Sequence, residues 1–153
     1  MNLVTTLDQY NPRCIFFLEP IKNTVIPNSN FIRIYYSNSD FTLNGIYLSI
    51  KFTNINTEKY YNKYKCIFNK NDNIQLINQL FTFEKEILKK YEIKDKTPQH
   101  SLFNQINQGS MKIFADNESI FNSNMNFILK VSGIWENETE YGITYKFIPI
   151  YSC

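Results

Sequence analysis

Three stretches of this 153-residue chain interleave aromatic rings with cations at alternate positions. Arg33 and Tyr35 fall on one side of FIRIYY (31–36). Tyr47 and Lys51 fall on one side of FTLNGIYLSIKF (41–52), and Tyr61, Lys63 and Lys65 on one side of YYNKYKCIF (60–68). Flat rings stack on unpaired bases whatever their identity, and ammonium or guanidinium groups pair with phosphates. The combination suits single-stranded nucleic acid, where each stacked base is worth ~1–3 kcal/mol. A plainer account competes with it. Strands favour Tyr for packing reasons, and Lys is the ordinary residue of a solvated face. The abundance of Asn, Ile, Lys, Phe and Tyr, with Ala115 the single alanine, also fits an A/T-rich codon bias.

Lys130 and Lys146 extend the same chemistry on the outer face of the stretch 126–148, NFILKVSGIWENETEYGITYKFI. Trp135, the one tryptophan, closes its first apolar run. It reads either as a stacking platform or as rim packing, the commoner fate of a lone Trp at a strand end.

Other chemistries lack their parts. His100 is the one histidine and has no nucleophile motif around it. Cys14, Cys66 and Cys153 form no C-x-x-C pair, which argues against a zinc site or a disulfide framework and fits a reducing compartment. Glu136, Glu138 and Glu140 sit in a turn with no acidic partner upstream. They read as solvating that loop and repelling nucleic acid from it. The four glycines make no phosphate-cradling loop. Lys85, Lys89, Lys90, Lys94 and Lys96 alternate with Glu84, Glu86, Glu92 and Asp95, as on a solvated helix whose basic end complements its dipole. The expectation is a binding protein: no enzyme, no cofactor, no metal. A net charge of +2 permits a polyanionic partner without demanding one. No apolar run approaches the ~20 residues of a membrane helix. The N-terminus lacks the basic-then-apolar pattern of a secretory signal. An intracellular, non-secreted protein without membrane contact is expected, and the sequons at Asn117 and Asn137 read as accidents.

The elements that must position these residues follow from periodicity. Residues 1–11 read as a loose arm, 13–18 as an edge strand and 19–30 as a loop. Strands are expected at 31–36, at 41–52 with a bend or bulge at Asn44-Gly45 (a tight turn competes), and at 60–68, with a polar loop at 53–58. Near-3.6 spacing predicts a helix over 74–91, with Asp72 as its cap, Gln75 completing a capping box, and a Glu86–Lys90 pair. A short helix at 99–108, a strand at 111–115 and a polar loop at 116–125 lead to a hairpin over 126–148. A length of 153 residues fits one domain. Three strands, a helix and then further strands is the order of the five-stranded OB barrel. The fold class expected is mainly β with one helix, an OB-fold-like barrel with additional strands. An α+β sandwich is the alternative.

ILKVSGIWENETEYGITYKFIPI, preceded by SLFNQINQGSMKIF, resembles the C-terminal part of OB-fold single-stranded DNA-binding proteins of DNA viruses and phages. There a strand ending in Gly-aromatic is followed by an acidic loop and a strand of the form Gly-hydrophobic-x-aromatic-Lys. The resemblance covers about a third of the chain. It implies a protein that coats single-stranded DNA in viral replication or recombination, and it carries over Lys130, Gly133, Trp135, Gly142, Tyr145 and Lys146. Many such proteins end in an acidic tail that recruits partners. This sequence ends Ile150-Tyr151-Ser152-Cys153, so tail-mediated recruitment is not implied. RNA is a variant of the same partner. A homo-oligomer could form through the N-terminal strand. The function of another class is a viral structural or host-interaction protein whose aromatic surface binds protein.

Overall fold

The computed structural model describes residues 4–60, 63–113 and 126–150, with Tyr60 and Lys63 described in their backbone alone. In chain order the strands begin β1 (Ile15–Phe17), β2 (Ile21–Lys22), β3 (Asn30–Ser37), β4 (Thr42–Leu43) and β5 (Ile46–Lys51). A hairpin of β6 (Ile55–Tyr60) and β7 (Lys63–Phe68) precedes the helix α1 (Ile74–Lys90). Then come β8 (Thr97–Gln99), the short helix α2 (Ser101–Ile106), β9 (Ser110–Ile113), and the long pair β10 (Asn126–Glu136) and β11 (Glu140–Pro149). The protein is mainly β with one long helix, as the periodicity predicts.

β10 is the spine of the larger sheet. One edge pairs with β11 along its length. The other edge pairs with β5 at Asn126–Val131 and with β3 at Gly133–Glu136. β3 and β5 therefore behave as one interrupted strand. The long strand predicted over 41–52 is broken at Gly45, whose φ of +151° is strained for other residues and whose added Cβ would lie 3.0 Å from the Val131 carbonyl oxygen. The register of β10 against β11 shifts between Val131 and Gly133. This bulge exchanges the faces expected from strict alternation: Gly133 moves outward and Ile134 enters the core. Bulge and partner change together curl the sheet into a half-barrel. The edge of β3 away from β10 carries β1 and β2, and β8 adds in parallel to β11.

A smaller sheet, β6–β7–β9, packs with α1 and α2 against the inner face. Ile32, Ile34, Ile46, Leu48, Ile50, Leu129 and Val131 bury their side chains from the large sheet. Cys66, Phe68, Met111 and Ile113 come from the small one, and Ile77, Leu80 and Ile87 from α1. Fully burying each aliphatic chain is worth about 1.5–3 kcal/mol. Phe52 joins the sheets, with its ring 4.6 Å from Phe68 and 6.1 Å from Phe127, centroid to centroid. Among the described residues no strand pairing links the two sheets.

Four local expectations need correction. The polar loop at 53–58 is largely strand β6, whose register runs from Ile55 opposite Phe68 to Tyr60 opposite Lys63. Its outward positions Asn56 and Glu58 are polar, so little apolar alternation marked it. The strand predicted over 60–68 accordingly begins at Lys63. Asp72 does not cap α1: it accepts from the Asn54 amide at 2.9 Å, and buried Asn73 ties the helix start to Thr53 instead. Residues 4–10 are tied down. Thr5 pairs with the free edge of β5 through Thr5 N–H to the Tyr47 carbonyl and Ser49 N–H to the Thr5 carbonyl, and Tyr10 packs on Tyr36 and Phe83.

Candidate nucleic-acid interface

Residues paired across adjacent antiparallel strands point to the same side of a sheet. The inner side here is buried and aliphatic, so the outer side can be read row by row. Ile21, Phe31, Trp135 and Gly142 make one row. Arg33, Gly133 and Thr144 make the next. Beyond the bulge come Tyr47, Lys130 and Lys146, then Ser49, Ile128 and Ile148, and then Lys51 and Asn126. Tyr35 stands in the same column as Phe31 and Arg33, opposite Phe16 of β1. Seven of the predicted site residues thus share one face: Arg33, Tyr35, Tyr47, Lys51, Lys130, Trp135 and Lys146. No Asp or Glu occupies any of these paired positions.

Close contacts organise the face. The Lys130 ammonium lies over the Tyr47 ring, 5.4 Å from its centroid, and the Arg33 guanidinium lies 5.6 Å from that of Phe31. Both are cation–π distances. The Phe31 ring covers Gly133, where an added Cβ would fall 2.8 Å from it and 2.2 Å from the Ile32 carbonyl oxygen. The Trp135 ring covers Gly142 in the same way, 2.9 Å from such a Cβ. Trp135 stays part-exposed, so one side of its ring packs while the rest meets solvent. The Tyr47 hydroxyl donates to Asn44 Oδ1 at 3.2 Å.

The remaining candidates lie elsewhere. Tyr61 falls outside the described residues, and Lys63 is described in its backbone alone, on β7. Lys65 is also on β7, in the smaller sheet, flanked by Glu58 of β6 and Lys112 of β9. The sequence suggested one face for all three stretches, but the chain passes into a second sheet after Phe52. Tyr145, carried over by the resemblance, sits opposite Val131 and turns inward, as its alternation with Lys146 predicts. Its hydroxyl donates to Gln105 Oε1 of α2, and burial together with the nearby Glu84 charge pushes its pKa up to about 12.

Three contributors went unread. Phe31 had a signal, since it shares the two-residue period of Arg33 and Tyr35. Lys112 had none, because its neighbours are set by the long-range pairing of β7 with β9. Glu84, read as a solvated residue, is fully buried and accepts from the backbone N–H groups of Leu102 and Phe103, both at 2.9 Å. Glu136 is likewise no free loop charge. It bonds the Lys96 ammonium and the Asn30 amide, each at 3.0 Å. Burial alone would raise its pKa, but these two partners outweigh burial and lower it.

Comparisons with protein-family models, with curated proteins and with solved structures found no match. No helix among the described residues is long and apolar enough to cross a membrane.

Proposed function

We propose that this protein binds single-stranded DNA, without base specificity and without catalysis, on the outer face of the curled sheet, as an OB-like coating protein of the kind that serves viral replication or recombination. The observation that carries the reading is the shared face of Arg33, Tyr35, Tyr47, Lys51, Lys130, Trp135 and Lys146, free of carboxylates at its paired positions. Rings would stack on bases while the cations neutralise phosphates, a division of labour that ignores base identity. Affinity should then fall steeply with salt.

Fluorescence anisotropy with labelled oligo-dT across a salt series tests this. Tyr47→Ala removes one stacking ring, worth ~1–3 kcal/mol or about 5- to 150-fold in affinity, while Tyr47→Phe keeps the ring and the affinity. Lys130→Ala should lower the steepness of the log–log salt plot by about 0.7. Salt-insensitive binding, or affinity unmoved by Tyr47→Ala and Lys130→Ala together, would sink the proposal. Oligo-U in place of oligo-dT decides between DNA and RNA.

One observation favours the second reading, a protein-binding surface. Phe16 of β1, Ile21 of β2, and Val25 and Ile26 in the segment between β2 and β3 are 53%, 61%, 85% and 56% exposed. Exposed apolar area of this kind is characteristic of protein contacts. Absence of oligonucleotide binding, together with self-association or partner capture lost on Ile21→Ser, would favour it. The edge strand β1 is also where a homo-oligomer would pair.

A further inference from the structure

Four lysines connect the two sheets in a chain of adjacent positions. Lys65 and Lys112 are direct cross-strand partners on β7 and β9. Lys112 and Lys146 line the same open groove of about 490 Å³ between β9 and β11, with Tyr145, Phe147 and Gln105. Lys146 and Lys130 are direct cross-strand partners on β11 and β10, and Lys130 lies over Tyr47. Two of the three steps set like charges opposite each other, which by itself destabilises a sheet. Glu58, beside Lys65, is the one acidic side chain among the described residues at a position paired with this chain of lysines. A ligand with regularly spaced negative charge removes the repulsion at both pairs.

We propose that a single-stranded nucleic acid held on the aromatic face continues past Lys130 and Lys146, across the β9–β11 groove, to a second phosphate anchor at Lys112 and Lys65. The inference rests on the binding reading above and adds to it a direction and a length. A short oligonucleotide fills the aromatic face alone, and a longer one reaches the smaller sheet.

The test compares labelled oligo-dT of about 6 and about 16 nucleotides, lengths near the two ends of the range of single OB-domain sites, on the wild-type protein and on Lys65→Ala/Lys112→Ala. Each phosphate contact to a single strand contributes a salt exponent of about 0.7, so at 0.1 M salt its loss costs about 5-fold in affinity. The expected result is unchanged affinity of the double variant for the short oligonucleotide. For the long one, affinity falls about 25-fold and the salt exponent drops by about 1.4. Equal affinity of variant and wild type for the long oligonucleotide overturns the second anchor while leaving the face intact, and so does an equal loss for both lengths. Failure of the wild type to bind either length instead overturns the binding reading itself. Should the alanine pair lower the melting temperature, Lys65→Gln/Lys112→Gln replaces it, with the same outcomes.

Discussion

Glu84 offers the sharpest test of how the fold holds its helices. The carboxylate is fully buried, and each oxygen accepts one backbone N–H from the first turn of α2. Glu84→Gln keeps the shape and replaces one acceptor by an NH2 group. One of the two N–H groups then faces a donor. A buried donor left unmade costs about 1–3 kcal/mol. For a chain of this size each kcal/mol moves the melting temperature by about 2–4 °C, so Glu84→Gln should melt about 2–12 °C lower. Hydrogen exchange should speed up at Leu102 and Phe103 before it does elsewhere, because those are the amides released.

The pH dependence has a definite sign. Burial raises the pKa of Glu84, and the N–H groups of Phe103 and Leu102 oppose that only in part. The folded protein therefore holds this proton more tightly than the unfolded chain. Its contribution is complete below the unfolded pKa of about 4.3 and is lost as pH rises through the folded value, by at most about 1.4 kcal/mol per pH unit. Thermal melts of wild type and Glu84→Gln between pH 4 and 8 read it directly. The wild type should lose stability across that window by a term the variant lacks. A variant that melts with the wild type at every pH, with unaltered exchange at Leu102 and Phe103, would refute the role of this carboxylate in anchoring α2.

Glu136 should behave in the opposite sense. Its lowered pKa supplies stability above the unfolded value that is lost as pH falls through the folded one, so Glu136→Gln should flatten the acid limb of the melting curve by about 0.5–1 kcal/mol. Gly133→Ala forces a Cβ to within 2.2 Å of the Ile32 carbonyl oxygen and must part β3 from β10, a loss beyond about 4 kcal/mol, visible as unfolding at moderate temperature. In Gly142→Ala the nearest atoms to the new Cβ all belong to the Trp135 ring, which can lift, so it should cost about 1–3 kcal/mol and red-shift the tryptophan fluorescence. Tyr145→Phe removes the bond to Gln105 and should cost about 1 kcal/mol in chemical denaturation.

How much of this was readable in the sequence depends on the range of the interactions involved. The alternation of Ile32, Ile34 and Ile46 through Ile50 against Arg33, Tyr35 and Tyr47 fixes which side chains face out, because the side-chain period of a strand is local. So does the spacing of Ile77, Leu80 and Ile87 for α1. The β10 bulge is different: nothing in KVSGIW shows that Ser132 adds a residue, since the shift is set by partners 100 residues away in β3. Likewise Lys63 and Lys65 have the same local pattern as Tyr47 and Lys51. Only the pairing of β7 with β6 and β9, and not with β5, places them on another sheet. Glu84 looked solvated because its neighbours Lys85 and Glu86 are charged. Its burial comes from α2 docking 18 residues later.

The rings on the outer face do not all weigh equally as evidence. Phe31 and Trp135 each cover a glycine, and an aromatic that shields sheet glycines earns its place without any ligand. Truncating either should cost stability, so lost binding in those variants has two explanations. Tyr35 is different: it stands opposite Phe16, which is more than half exposed, and it is not among the nearest neighbours of a Cβ added at any of the four glycines. Tyr35→Ala is therefore expected to melt within about 1 kcal/mol of the wild type, as an outer-face substitution should, and still to weaken oligo-dT binding by the ~1–3 kcal/mol of one stacked base. Normal affinity in a normally folded Tyr35→Ala protein would leave that end of the face outside the nucleic-acid path and confine the path to the rows around Tyr47 and Lys130.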